Sequence, residues 1–267
     1  MVEIWHRRIG IVWTLALVGA VLGACAPTFP AARPADAGQN ARSIAATVGN
    51  GVMQPFVLTA NLGDTVVWRN TDIRAHRIAA AAEPPQAEGS QFPMTLGPGE
   101  ARRMTPARAG VYDLYGADAA TFDPALGRVV ANRGEPPYPI PMEQLLVVMG
   151  PGFAPAPKTG ATVTAPGDVF QPYLTVVRAG STVTFRNEDT DPHIAAAEPN
   201  SPNRLLKTLV LPGGGSASLT FPTPGVFQYY CSLHATYRAA YQRAAALQRS
   251  DRYPTAMDGV VVVVSGR

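Results

Sequence analysis

Polar and apolar residues alternate in Thr65-Val-Val-Trp-Arg69 and again in Thr182-Val-Thr-Phe-Arg186, the pattern of strands with one face in a core and one in water. Around them lie short runs rich in Val, Thr, Leu, Phe and Tyr, separated by Gly and Pro. Such punctuation favours an antiparallel β-sandwich over an α/β fold. Val260 to Val264 is apolar throughout and predicts a closing, central strand. One segment breaks the pattern. In Ala235 to Arg249, the residues Tyr237, Tyr241, Ala244 and Gln248 fall on one face at helical spacing. Arg238, Arg243 and Arg249 point elsewhere, so a helix is predicted there, ending before Pro254. Its counterpart earlier in the chain, Phe122 to Asn132, is less helical because of Pro124 and Gly127.

The two halves of the chain align with each other. Val52-Met-Gln-Pro-Phe, Gly63, Thr65-Val and Arg69-Asn70 match Val169-Phe-Gln-Pro-Tyr, Gly180, Thr182-Val and Arg186-Asn187 at a constant offset of 117. His76 falls on His193 at the same offset. After a slip near Glu83 and Glu198 the offset becomes 115, and it holds for Leu96/Leu211, Gly110/Gly225 and Met142/Met257. The segment between strand end and methionine is therefore inserted in both halves at equal length. The repeat predicts two tandem domains, residues 44–150 and 168–267, joined by a proline-rich linker over 151–167.

The chain opens with His6, Arg7 and Arg8, an apolar stretch from Ile9 to Leu22, and Gly23-Ala24-Cys25. That is the layout of an export signal over residues 1–24, with an apolar core short of the roughly 20 residues a membrane span needs. Leu22-Gly23-Ala24-Cys25 looks like a bacterial lipobox, which predicts lipidation at Cys25 and a flexible tether over 25–43. An ordinary signal peptide is the alternative, and it leaves open a Cys25–Cys231 bridge. Export places the protein on the periplasmic side of a bacterial cell envelope, with the outer membrane favoured for the lipid. Removing Glu3, Arg7 and Arg8 lowers the formal charge from +3 to +2, too small an excess to mark a nucleic-acid partner.

The chemistry gathers at one place. Gly225-Val-Phe-Gln-Tyr-Tyr-Cys231 ends in the one cysteine beyond the leader, and His234 follows it by three residues. His193 lies upstream in Phe185-x-Asn187-x-Asp189-x-x-x-His193, and Met257-Asp-Gly-Val lies downstream. A thiolate, two imidazoles and a thioether form the donor set of a blue-copper electron-transfer site. These motifs resemble those of the cupredoxin family. The resemblance implies two Greek-key sandwiches, one type 1 copper held by His193, Cys231, His234 and, axially, Met257, and transfer of single electrons to a redox protein such as a cytochrome or a copper oxidoreductase. Met257 stands 23 residues beyond His234, and a plain core methionine is the alternative there. Asn187 is expected to tie down the loop that carries His193. Tyr229 and Tyr230 are expected to pack. The first half has Gly116 and Ala119 where the second has Cys231 and His234, so it keeps His76 and Met142 without the rest. It is expected to serve as a scaffold or docking domain that lacks copper.

Counting histidines separates the function classes. Beyond the leader there are His76, His193 and His234. Multicopper oxidases and copper nitrite reductases need further histidine-rich sites, which three histidines cannot build unless a partner chain supplies ligands. The dinuclear site of terminal oxidases needs a second cysteine near Cys231. An enzyme, and with it a small-molecule substrate, is therefore not expected. Copper handling by a chaperone, buffer or resistance factor ranks behind electron transfer, because the seven methionines are scattered and no histidine-rich tract exists. The inserted segment after His234 carries Arg238, Arg243, Arg249 and Arg252, which either steer an acidic partner or solvate an outer face.

Overall fold

The computed structural model describes residues 41–85, 89–199 and 208–265. The predicted signal segment 1–24, Cys25 and most of the tether lie outside the described residues, none of which form a helix long and apolar enough to cross a membrane. Among them the fold is all-β. The first half supplies β1 (Ser43–Gly49), β2 (Val52–Gln54), β3 (Val57–Asn61), β4 (Thr65–Asn70), β5 (His76–Ala82), β6 (Met94–Leu96), β7 (Ala101–Met104), β8 (Gly110–Gly116), β9 (Ala120–Asp123), β10 (Arg128–Ala131) and β11 (Glu143–Met149). The second supplies β12 (Lys158–Ala165), β13 (Leu174–Asn187), β14 (His193–Ala197), β15 (Leu209–Leu211), β16 (Ser216–Phe221), β17 (Gly225–Cys231), β18 (Ala235–Arg238), β19 (Arg243–Ala246) and β20 (Asp258–Val264).

In the first half the strands order as β2-β1-β4-β7 in one sheet and β3-β11-β8-β5-β6 in the other. Val48, Trp68, Leu96, Leu114 and Leu146 meet in the core between them. The second half repeats the pairings, and the long β13 does the work of both β3 and β4. Gly160 of β12 pairs with Thr182 as Ser43 of β1 pairs with Thr65, both in parallel. Val260 of β20 pairs with Leu174 as Leu145 of β11 pairs with Val57, again in parallel. These registers carry the offsets of 117 and 115 read from the sequence. Residues 158–165, expected in a linker, instead form β12, because their alternation seats Val163 and Ala165 in the second core.

Strands β11 and β20 lack the alternation of their neighbours because both of their faces are buried. Leu146 and Val148 point into the first core, and Val261 and Val263 into the second. The opposite faces, Leu145 and Val147 with Val260, Val262 and Val264, join Phe56, Val111, Tyr173 and Val226 in a third core shared by the two halves. Residues Asn40–Arg267 accordingly form one compact unit.

The predicted helix over Ala235–Arg249 is not present. Strands β18 and β19 pair as an antiparallel hairpin around a single 3-10 turn, Ala239–Tyr241, closed by Gln242 in the left-handed region. The reason lies in burial. Arg243 to Ala246 are four consecutive buried residues, which a helix with one wet face cannot provide. Ala235, Ala244 and Ala246 pack with Ala256 instead. The less helical counterpart, β9 with β10, is the same hairpin in the first half. Arg243 is therefore not a surface cation, whereas Arg238 and Arg249 remain exposed.

Candidate metal centre

Three segments deliver three donors to the same end of the second sheet. His193 opens β14 after a loop held by Asn187. The Asn187 amide donates to the carbonyls of Asp191 (2.6 Å), Leu211 (3.1 Å) and Pro212 (3.2 Å), and its Oδ1 accepts from the Asp189 N–H at 2.9 Å. Cys231 closes β17, and its N–H donates to the Met257 carbonyl at 2.8 Å. The chain then turns, with the His234 N–H donating to the Cys231 carbonyl at 3.1 Å and the Leu247 N–H to the His234 carbonyl at 2.9 Å. The inserted hairpin thus anchors the backbone of His234. The core behind the site is aromatic, with Tyr229 packed 5.2 Å from both Phe170 and Phe185. A Cβ at Gly259 would run into the Tyr229 hydroxyl, which accounts for the glycine two residues after Met257.

The donor atoms form a triangle. His193 Nδ1 and His234 Nδ1 are 3.2 Å apart, Cys231 Sγ lies 3.5 Å from His234 Nδ1, and 4.0 Å separates it from His193 Nδ1. A circle through corners at those spacings has a radius of about 2.1 Å, the length of a metal–imidazole bond and close to that of a metal–thiolate bond. Three donor atoms converging at that spacing leave a place for one ion among them. His193 and Cys231 are buried, and the side chain of His234 is 13% exposed. Burial, together with the neighbouring His234, holds His193 below the usual imidazole range, so it offers a neutral nitrogen. Burial pushes the Cys231 thiol up, against the pull of backbone N–H groups, of which Ile194 donates to Sγ at 3.3 Å. A bound cation takes the place of that thiol proton. Soft thiolate plus imidazole fits copper, and this group can bind one copper ion.

Two carboxylates flank the triangle. Asp189 Oδ2 faces His193 Nε2 at 3.4 Å, the outer side of that ring. Asp168, buried and 3.3 Å from His234 Nδ1 through Oδ1, was not among the residues that motif spacing singled out. Its other oxygen accepts from the Asp251 N–H. The signal was present in the repeat, since Asp168 stands opposite Gly51 at the offset of 117, a difference between the halves like those at Cys231 and His234. Met257 is fully buried in the core cluster of Cys231, with its carbonyl bonded to the cysteine N–H. Cys231 is a free thiol.

The first half has the same frame with the cavity closed. Asn70 donates to Arg74, Leu96 and Gly97 carbonyls as Asn187 does to its three. His76, in the place of His193, meets Asp72 at Nε2 (3.2 Å) and Asp118 at Nδ1 (2.7 Å). The nitrogen that would face a metal is thereby taken by a carboxylate. Met142 fills the remaining space, since a Cβ at Gly116 would overlap its sulfur.

No family model and no curated protein matches the chain. Solved structures similar to about two fifths of it include the following three. A reduced amicyanin mutant is 23% identical over 39% of this chain and 81% of its own, with a TM-score of 0.29. A purple cupredoxin from Nitrosopumilus maritimus is 22% identical over 39% of this chain and 98% of its own, with a TM-score of 0.27. Amicyanin from Paracoccus versutus is 18% identical over 41% and 86%, with a TM-score of 0.28. At such scores the likenesses stand as similarity alone, and the assignment of the site rests on its donors.

Proposed function

We propose that this protein is a type 1 copper protein that carries single electrons between redox proteins and is not an enzyme. The observation that carries the reading is the buried triangle of His193 Nδ1, Cys231 Sγ and His234 Nδ1. Met257, buried in the same cluster as Cys231, would add a thioether to these donors. When bound, copper supplies a one-electron couple at this place. The protein's own contribution is rigidity and shielding. Asn187 and the hydrogen bond from the Cys231 N–H to the Met257 carbonyl fix the donors before any ion arrives, so a change of charge demands little movement. Burial keeps solvent from the thiolate, and the partly exposed edge of His234 is the short route to a partner.

The domain reading belongs with this proposal: a copper-free first domain over 44–150 and a copper domain whose edge lies at β12 rather than at 168. So do export by residues 1–24, lipidation at Cys25, and tethering to a bacterial membrane on its periplasmic face, all supported by the lipobox-like leader. Copper stoichiometry and a visible spectrum test the centre. One copper per chain with intense thiolate-to-copper absorption, abolished in Cys231→Ser, is expected. No tightly held copper, or copper without that absorption, refutes the electron carrier and brings copper handling forward. Loss of the protein from the membrane fraction in Cys25→Ser tests the anchor.

A further inference from the structure

Two buried arginines between the halves are counterparts in the repeat, 115 residues apart. Arg128, opening β10, donates from Nη1 to the Ala256 carbonyl at 3.0 Å and from Nη2 to Asp258 Oδ1 at 2.6 Å. Its guanidinium lies 4.2 Å above the ring of Tyr173. Arg243, opening β19, donates from Nη1 to the Pro141 carbonyl at 3.4 Å and to Glu143 Oε2 at 2.8 Å, and lies 4.2 Å above Phe56. Every partner of one is the counterpart of a partner of the other: Pro141 with Ala256, Glu143 with Asp258, Phe56 with Tyr173. Each inserted hairpin therefore crosses to the other half and grips the residues on both sides of that half's methionine. The arrangement has the reciprocity of a two-fold interface, built within one chain.

The two grips have unequal consequences. Arg243 holds the flanks of Met142, which sits against Gly116 in the closed site. Arg128 holds the flanks of Met257, whose carbonyl takes the Cys231 N–H. We infer that the first half acts on the copper centre through Arg128, a positioning residue that fixes the Ala256–Asp258 backbone and with it the placement of the Met257 side chain beside the copper. The inference rests on the proposed axial role of Met257. An axial thioether bond is weak and long, so its length follows the backbone that carries it and sets the reduction potential. A half without the full donor set is thus part of the working site. Arg243 also pairs with Asp258 Oδ2, but at 3.9 Å, too far for a hydrogen bond, so its variant serves as the comparison with the weaker hold on that residue.

The experiment compares Arg128→Gln, Arg128→Lys, Arg243→Gln and Met257→Leu in the full copper-loaded chain, by visible spectrum and midpoint potential, with thermal unfolding of the metal-free proteins alongside. Both glutamine variants are expected to lose similar thermal stability. Arg128→Gln is expected to alter the relative intensities of the thiolate bands and to shift the midpoint by about 59 mV, a tenfold change in a one-electron equilibrium, with Arg243→Gln changing both by clearly less. The lysine variant should restore part of both. Equal optical changes in Arg128→Gln and Arg243→Gln, or none in either, overturn the inference while Met257→Leu still shifts the potential. A silent Met257→Leu removes the axial reading, and the inference falls with it. Should Arg128→Gln fail to fold, Arg128→Lys decides: a shift supports the positioning role and an unchanged centre overturns it.

Discussion

Glu198 ties the copper strands to the inserted hairpin, and its ionisation should be readable in stability. Its side chain is buried, with Gln228 Nε2 donating to Oε2 at 2.7 Å and the Ala244 N–H donating to Oε1 at 3.0 Å. Burial, reinforced by the charge of Asp258 and opposed by Arg243, pushes its carboxyl up to about 8 from an ordinary 4.5. The folded protein therefore holds a proton that the unfolded chain has released between these two values. Stability is complete below about pH 4.5 and falls by about 1.4 kcal/mol per unit as pH rises, levelling off above about pH 8 with a total loss of at most about 5 kcal/mol. Glu198→Gln removes the proton and its slope while keeping an acceptor for Ala244. Urea unfolding of the metal-free protein and of this variant from pH 5 to 9 isolates the group, because every other titration is common to both. The gap between the curves should widen by several kcal/mol across that range in favour of the variant. Parallel curves would show that Glu198 is already ionised when folded, its two donors outweighing burial.

Asp168→Asn removes a buried negative charge 3.3 Å from His234 Nδ1, so the oxidised centre loses stabilisation and the potential rises. At an effective dielectric constant near 20 the effect is on the order of 1–4 kcal/mol, roughly 40–170 mV, read by redox titration; an unchanged or lowered potential contradicts it. Asn187→Ala and Asn70→Ala each strip three carbonyls of a donor and should cost about 2–4 kcal/mol in unfolding, but only the former should weaken copper retention against a chelator. Placing donors in the first half with Gly116→Cys and Ala119→His should leave copper at one per chain, because Met142 fills the space and Asp118 holds His76; two coppers per chain refute the closed-site account.

Residue type and spacing made the donors legible. Cys231 beyond the leader, His234 three residues on and His193 behind an Asn-anchored loop converge as their motifs imply, and the offsets of 117 and 115 reappear as strand registers. What stayed hidden depends on partners from the other half. Tyr237, Tyr241, Ala244 and Gln248 satisfied a helical period, yet the hairpin wins because Arg243 finds Glu143 and Phe56 across the interface. A buried arginine is tolerable only with such partners, and no local window contains residues 100 positions away. Asp168 was equally invisible to motif spacing, although comparing the halves position by position exposes it opposite Gly51.

The same comparison explains why a half without donors persists. Removing a metal site from a sandwich leaves converging polar atoms that must be satisfied or replaced. In the first half Asp118 supplies the partner for His76 Nδ1, and Met142 occupies the volume beside Gly116. Nothing comparable relieves the second half of its neighbour. Without the first half, Val260, Val262 and Val264 would face water in place of Leu145 and Val147, and Asp258 would lose the 2.6 Å hydrogen bond from Arg128 and keep only the 3.9 Å pair with Arg243. An apolar strand face can tolerate repacking, but losing the close partner of the carboxylate next to Met257 is harder to absorb, since breaking a buried ion pair costs about 3–5 kcal/mol. The first half is therefore held in place by the strand that follows Met257, β20 of the second half.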